Sequence, residues 1–127
     1  SEEQLFNTLE DVNNLAYTRF VLEAGYSGDF LDLLVALSPC VFGYGEIGLY
    51  LKSISKNDNP YISWIDTYHS KEYQDVCMNI GSLLDKATEE RLGKGFVNNT
   101  MWPKLEKTFL TATKLEIGFW EMSLRQE

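Results

Sequence analysis

The chain has 127 residues, enough for one domain with its own hydrophobic core, and 44% of them are hydrophobic, as is typical of globular proteins. The net charge is −8, and the 11 Lys and Arg residues are scattered, so we expect no nucleic-acid partner. Charged residues interrupt the longest apolar run, so we expect no membrane span.

The first part of the chain predicts two helices. Ser1 can cap the first helix, with Gln4 at the reciprocal position of a capping box. The pair Asn13-Asn14 offers a break and a new cap, and Gly25 is typical of the left-handed residue that ends a helix. We therefore predict a second helix over Leu15–Ala24.

The rest of the chain is also predicted to be helical. The expected elements are a long helix over residues 30–54 capped by Asp29, a turn at 56–60, a short helix over 61–68, a helix from the cap Ser70 to near Gly93, and a last helix that starts around Thr100 and Pro103 and runs to about Leu124. No alternating strand pattern of useful length occurs. The fold class is predicted to be all-α, with residues 1–127 in a single domain.

The segment from Ser38 to Gly48 breaks the rules of helix building. Relative to alanine, an interior proline costs about 3 kcal/mol and each interior glycine about 1 kcal/mol. Pro39, Gly43, Gly45 and Gly48 all lie within this one apolar stretch. Local rules that fail at such a cost indicate a functional or strained site.

A thiol and a phenol share one stripe of the long helix. The positions in that stripe are Leu33, Leu37, Cys40, Tyr44, Ile47 and Leu51. Their spacing of four and three predicts that Cys40 and Tyr44 both face inward. Free cysteine is also a common small core residue, so the stripe leaves open whether Cys40 is a nucleophile or a hydrophobe.

The last helix carries a carboxylate on its apolar stripe. Glu116 follows Leu105, Phe109 and Ala112 at positions where apolar residues are expected. A buried carboxylate is costly unless it is paired or protonated, and a positioned one can transfer protons. Glu116 is therefore either a proton-transfer group or the hydrogen-bond partner of a buried tyrosine. Tyr17 similarly falls on the inward side of the second helix.

Other kinds of site are excluded by what the sequence lacks. His69 is the single histidine, whereas di-iron helical bundles need a Glu-x-x-His motif on each of two helices. The same shortage argues against a Ser-His-Asp triad, and a phosphate loop would need a preceding strand. We therefore expect no metal and no cofactor.

Three separated motifs together resemble the TenA family, also called thiaminase II or aminopyrimidine aminohydrolases. They are Ser38-Pro39-Cys40 followed by Tyr44-x-Glu46-Ile47-Gly48, then Tyr61-x-x-Trp64-Ile65-x-x-Tyr68, then Leu115-Glu116-x-x-Phe119-Trp120. Ala16-Tyr17-Thr18 is similar to the segment that carries the family's tyrosine on the preceding helix.

The resemblance implies a haem-oxygenase-like helical bundle without haem, assembled as a homotetramer. It implies hydrolysis at the exocyclic methylene of a thiamin pyrimidine, with aminomethylpyrimidine or thiamin as substrate. It makes Cys40 the nucleophile and Glu116 the proton-handling group. Tyr17, Tyr44 and Tyr68 would line the pyrimidine pocket as substrate-binding residues.

The resemblance covers the later half to two-thirds of the family domain. It implies that the first helices are absent from this chain, including an aspartate that grips the aminopyrimidine, and that this N-terminal part is a partner of the chain. No carboxylate here matches that aspartate. With two isolated cysteines and no visible signal peptide, we expect the reducing cytoplasm.

Two other functions remain open on the sequence alone. One is a relative of the same fold that binds a pyrimidine or acts as a scaffold without catalysis. The other is a different haem-oxygenase-like enzyme with another ring substrate.

Overall fold

A computed structural model describes residues 1–56 and 58–125, and of Gln4 and Leu5 the backbone alone. The helices are α1 (Glu2–Phe6), α2 (Val12–Ser27), α3 (Phe30–Ile54), α4 (Ile62–His69), α5 (Lys71–Leu92) and α6 (Trp102–Leu124), with a short 3-10 turn at Phe96–Asn98. The described residues contain no strand, which confirms the all-α prediction. Two details predicted from the sequence, the side chain of Gln4 in a capping box and Asn57 in the turn, lie outside the described residues.

Helix α2 differs from its prediction at both ends. The carboxylate of Asp11 accepts the backbone N–H of Asn13 at 2.7 Å, so Asp11 is the N-cap and the asparagine pair lies inside the helix. The helix continues through Gly25 to Ser27. A Cβ at Gly25 would lie 3.2 Å from Leu33 Cδ1, so this glycine serves the close packing of α2 on α3 and not a helix end.

The long helix α3 has the predicted bounds and cap. The carboxylate of Asp29 accepts the backbone N–H of Asp32 at 3.3 Å, and Asp32 Oδ2 accepts the backbone N–H of Asp29 at 3.2 Å. These bonds form a capping box, which satisfies donors that the first helical turn leaves unpaired.

Helix α3 is the centre of the fold and packs against α2, α4, α5 and α6. By length and composition it could span a membrane, with a mean hydropathy of 1.5 over its most apolar window. Asp32, Glu46 and Lys52 interrupt the apolar sequence of α3, as predicted, but they leave it long and apolar enough to pass that test. Because 44% of the window is buried within the fold, the apolar sequence also fits a core helix.

The hydrophobic core lies where the first half of α3 meets α5 and α6. Leu31, Val35 and Leu105 form a buried cluster there. The buried Asp32 lies beside them and forms two ion pairs. Its Oδ2 is 2.5 Å from Arg91 Nη1, and its Oδ1 is 3.4 Å from Lys104 Nζ. This ion cluster joins the start of α3 to α5 and α6.

The proline in α3 is accommodated by the serine that precedes it. Pro39 has no N–H to donate to the carbonyl of Val35, four residues earlier. The hydroxyl of Ser38 donates to that carbonyl at 2.9 Å, and Ser38 is almost completely buried. The backbone acceptor that the proline leaves free is therefore paired within the same turn.

The helix glycines allow other helices to approach α3. A Cβ at Gly48 would lie 2.6 Å from the carbonyl carbon of Tyr68, and one at Gly45 would lie 2.8 Å from Cys77 Sγ. A Cβ at Gly43 would meet nothing within 4 Å. Gly45 and Gly48 therefore permit close contacts that any side chain would block, whereas Gly43 faces open space.

The predicted inward stripe of α3 is only half buried. Leu37 and Ile47 are 38% and 42% exposed. The buried residues of α3 lie outside this stripe and include Val35, Ala36 and Ser38. The most buried face of α3 is rich in small residues, because small side chains let the neighbouring helices come close. The stripe with Cys40 and Tyr44 instead faces a partly open hollow beside α6.

Candidate active site

Three of the five site residues predicted from sequence, Cys40, Tyr44 and Glu116, meet where the middle of α3 faces the second half of α6. A hollow of about 300 Å³ opens between the two helices, and we call it the Cys40 hollow. Its lining residues are Pro39, Cys40, Gly43, Tyr44, Ile47, Thr113, Glu116, Ile117, Trp120, Glu121 and Leu124. Cys40, Tyr44 and Glu116 are therefore brought together, as their two stripes predict.

Glu116 is held by two donors. The hydroxyl of Tyr44 donates to Glu116 Oε1 at 2.9 Å, and the indole N–H of Trp120 donates to the same oxygen at 3.1 Å. Both bonds end on the same oxygen, Oε1, and the Tyr17 phenol also interacts with this carboxyl group. A carboxyl group positioned in this way can exchange a proton with a neighbouring group.

Tyr44 keeps its proton in this environment. Burial raises the pKa of the Tyr44 phenol, and its hydrogen bond and charge interaction with Glu116 raise it further. The phenol therefore remains a donor to the carboxylate at neutral pH. This answers one question left open by the sequence, since Glu116 does bond to a tyrosine while also lining the hollow beside Cys40.

Cys40 is a half-buried thiol with a nearby acid. Its Sγ donates to the carbonyl of Leu37 at 3.0 Å. Burial raises the pKa of the Cys40 thiol; interaction with the Tyr17 hydroxyl opposes that rise, and the charge of Glu116 adds to it. Among the described residues, the interactions that lower the pKa of this thiol are hydrogen bonds from Tyr17 and the backbone. The resting group is thus a thiol, which needs a base before it can act as a nucleophile.

Tyr17 approaches the site from α2. Its ring packs against Phe119 of α6 with centroids 6.3 Å apart. Burial raises the pKa of the Tyr17 phenol, and its interactions with Glu116 and Cys40 raise it further. The Tyr17 phenol therefore interacts with both the Cys40 thiol and the Glu116 carboxyl group.

Tyr68 belongs to a cluster of rings behind the hollow. It stacks on Tyr44 with centroids 5.1 Å apart and contacts Trp64 at 4.5 Å and Tyr73 at 4.8 Å. It is not among the residues that line the Cys40 hollow. Tyr68 supports the ring of Tyr44 in this structure.

Two tryptophans extend the site beyond the residues predicted from sequence. Trp120 holds Glu116, and its ring lies 5.9 Å from Tyr44 and 6.4 Å from Trp64. Both tryptophans line a second hollow of about 590 Å³, which shares Ile47 and Trp120 with the first. The sequence signal was the spacing of four between Glu116 and Trp120, which puts them on one helix face.

Comparison with known proteins gives a consistent result. Residues 1–126 match the TENA/THI-4/PQQC family. An aminopyrimidine aminohydrolase of Halalkalibacterium halodurans is 36% identical over 99% of this chain and 54% of its own length. An uncharacterised protein of Haemophilus influenzae is 33% identical over 98% of this chain and 56% of its own length.

Solved structures show the same likeness. A protein from Silicibacter, described as a TenA family transcription regulator, superposes with a TM-score of 0.91 at 56% identity, over 99% of this chain and 56% of that one. A TenA homologue from P. horikoshii gives a TM-score of 0.80 at 30% identity, over 98% of this chain and 55% of that one. These matches agree with the predicted haem-oxygenase-like helical fold, and the chain spans about half the length of the curated relatives it matches.

Proposed function

We propose, because this chain belongs to the TENA/THI-4/PQQC family, that it carries the nucleophile and the acid/base group of a hydrolase acting on thiamin-derived pyrimidines. The observation that carries the proposal is the hollow in which the Cys40 thiol and the Glu116 carboxyl group lie together, with Tyr44 and Trp120 holding the carboxyl group. Relatives named aminopyrimidine aminohydrolase support the chemical class.

The reaction would break the C–N bond at the exocyclic methylene of aminomethylpyrimidine or of thiamin. The sulfur of Cys40 adds to the electron-poor ring, its proton passing to Glu116 directly or through Tyr17. The electron pair displaced through the ring expels the amine or thiazole, and Glu116 protonates the developing charge. Water then adds to the methylene carbon, the bond between sulfur and ring breaks, and the hydroxymethyl product leaves.

The tyrosines have separate roles in this proposal. Tyr17 lies within interaction distance of both the thiol and the carboxyl group, which suits a proton path between them. Tyr44 fixes Glu116 and offers a flat wall, and Tyr68 supports that wall by stacking on it. Flat aromatic walls suit a flat pyrimidine ring.

The pocket in this chain is open, with Ile117 and Trp120 at its edge 54% and 40% exposed. We propose that an N-terminal part of the same domain covers it and supplies a carboxylate for the aminopyrimidine. We also propose a homotetramer in the cytoplasm. The two free cysteines are in line with that location.

The experiment is to incubate the intact protein with aminomethylpyrimidine and, separately, with thiamin, and to measure the hydroxymethyl product. Turnover of either substrate supports the hydrolase. Tight pyrimidine binding without turnover would instead favour the non-catalytic relative, which the description of the Silicibacter protein as a transcription regulator favours only weakly.

A further inference from the structure

Two adjacent side chains at the start of α5 donate hydrogen bonds to the segment of α3 that carries Cys40 and Tyr44. The hydroxyl of Tyr73 donates to the carbonyl of Val41 at 3.2 Å, and Gln74 Nε2 donates to the carbonyl of Gly45 at 3.2 Å. Val41 directly follows Cys40, and Gly45 directly follows Tyr44. The two bonds therefore hold the peptide units next to the thiol and next to the phenol, one helical turn apart.

Gln74 also fixes the ring wall. Its Nε2 donates a second bond, at 3.0 Å, to the carbonyl of Tyr68 near the end of α4. Carbonyls in the last turn of a helix have no partner within the helix, so this bond satisfies an otherwise unpaired acceptor. One amide group thus ties α3 at Gly45 to α4 at Tyr68, and the ring of Tyr68 stacks on Tyr44.

The contact of α4 with α3 is close enough for this tie to matter. The backbone of Tyr68 passes so near Gly48 that a Cβ there would be 2.6 Å away. The ring of Tyr73 packs edge-on against Tyr68 with centroids 4.8 Å apart. Burial raises the pKa of Tyr73 to about 12, so its phenol stays protonated and able to donate at neutral pH.

The bonds to α3 are additional to what the helix needs. Carbonyls in the interior of an α-helix already accept the N–H four residues later. Tyr73 and Gln74 therefore restrict where α3 sits relative to α5, beyond satisfying its backbone. Small displacements of a reacting group can cost a large factor in rate.

We propose that Tyr73 and Gln74 are a positioning pair that sets the placement of Cys40, Tyr44 and Tyr68 from outside the Cys40 hollow. Neither residue lines the Cys40 hollow. This inference rests on the proposed function for its kinetic test but makes a separate statement about ligand affinity.

The test uses the intact protein with Tyr73→Phe and Gln74→Met, which remove the donors and keep the approximate volume. Tyr26→Phe and Asn79→Met, at exposed positions, are the matched controls. We expect Tyr73→Phe to lower kcat about tenfold, because the nucleophile is displaced. We expect Gln74→Met to raise KM, and the Kd for the hydroxymethylpyrimidine product, by about tenfold, because the ring wall moves.

A conservative variant separates positioning from simple stability. Gln74→Glu has no donor when ionised and regains one when protonated, so its kcat/KM relative to the wild type should recover as the pH falls. The controls should retain the wild-type constants. Unchanged kinetic constants and affinity in both variants would overturn the proposal, as would a loss of folded protein with kcat per folded molecule, KM and Kd unchanged.

Failure of the proposed function gives a different result. An intact wild-type protein that binds the pyrimidine without hydrolysing it refutes the proposed hydrolase activity. In that case the Kd of Gln74→Met for hydroxymethylpyrimidine still tests the positioning pair. A wild type that neither binds nor hydrolyses the pyrimidine contradicts both.

Discussion

At the scale of single residues, Glu116 affects the thiol through its charge as well as through proton transfer. The Cys40 thiol has a raised pKa to which burial and Glu116 both contribute. Cys77 is a second half-buried thiol whose pKa is raised by burial alone, with no contribution from Glu116. Cys77 is therefore an internal control for the effect of Glu116 on Cys40.

We predict that Glu116→Gln makes Cys40 more reactive toward an alkylating reagent while lowering turnover. Removing the negative charge lowers the pKa of the thiol, so the alkylation rate of Cys40 should rise at a lower pH than in the wild type. The measurement is the pH profile of iodoacetamide labelling at each cysteine by mass spectrometry. Equal profiles for Cys40 in the two proteins, or an equal shift at Cys77, would refute the charge interaction.

The sequence predicted these residues because their spacing is helical. Cys40 and Tyr44 share one stripe, and Glu116 interrupts another, so their meeting could be anticipated. Trp120 was missed as a site residue because an aromatic at helical spacing is most often a core residue. The openness of the stripe could not be read from spacing, since periodicity does not say which apolar face the neighbouring helices cover.

At the scale of the elements, α3 shows what local signals can and cannot determine. The Asp29 capping box and the long apolar run gave its bounds correctly. Gly25 was misread because a glycine that permits close packing looks, in sequence, like one that ends a helix. The distinction depends on Leu33 of the next helix, which no local pattern contains.

We predict opposite effects of alanine at two glycines of α3. Gly48→Ala places a methyl group against the backbone of Tyr68, which cannot move as a flexible side chain would, so stability should fall by about 1–3 kcal/mol. Gly43→Ala meets open space and should gain up to about 1 kcal/mol from helix propensity. Urea unfolding of both variants checks this, and equal effects would contradict the packing at Gly48.

We predict that the contribution of Ser38 to stability depends on Pro39. Ser38→Ala leaves the buried carbonyl of Val35 unpaired and should cost about 1–3 kcal/mol. With Pro39→Ala a backbone N–H becomes available to that carbonyl, so the same serine substitution should cost less. A double-mutant cycle by urea unfolding measures the difference, and purely additive costs would contradict the pairing.

At the scale of the whole molecule, the buried ion cluster at Asp32 links three helices. Burial opposes ionisation of Asp32, but the bonds from Arg91 and the Asp29 backbone, with the charges of Arg91 and Lys104, hold the pKa of this carboxyl below its usual range. A carboxyl group with a lowered pKa in the folded state stabilises the fold above its ordinary pKa near 3.8. That contribution is lost as the pH falls through the folded-state value.

We therefore predict that Asp32→Asn lowers stability at neutral pH by about 2–4 kcal/mol and flattens the loss of stability below about pH 4. The exposed Asp58→Asn is the control and should change neither quantity. Urea unfolding from pH 7 to pH 3 measures both effects. If the free energy of unfolding of Asp32→Asn falls as steeply below pH 4 as that of the wild type, Asp32 is not the source of the acid sensitivity.

The central claim is that Cys40 is the nucleophile of a pyrimidine hydrolase. The most direct measurement compares release of the hydroxymethyl product by the intact protein with Cys40→Ala and with Cys77→Ala. We predict that Cys40→Ala abolishes turnover without loss of folding, and that Cys77→Ala retains it. Unchanged turnover in Cys40→Ala would contradict the account.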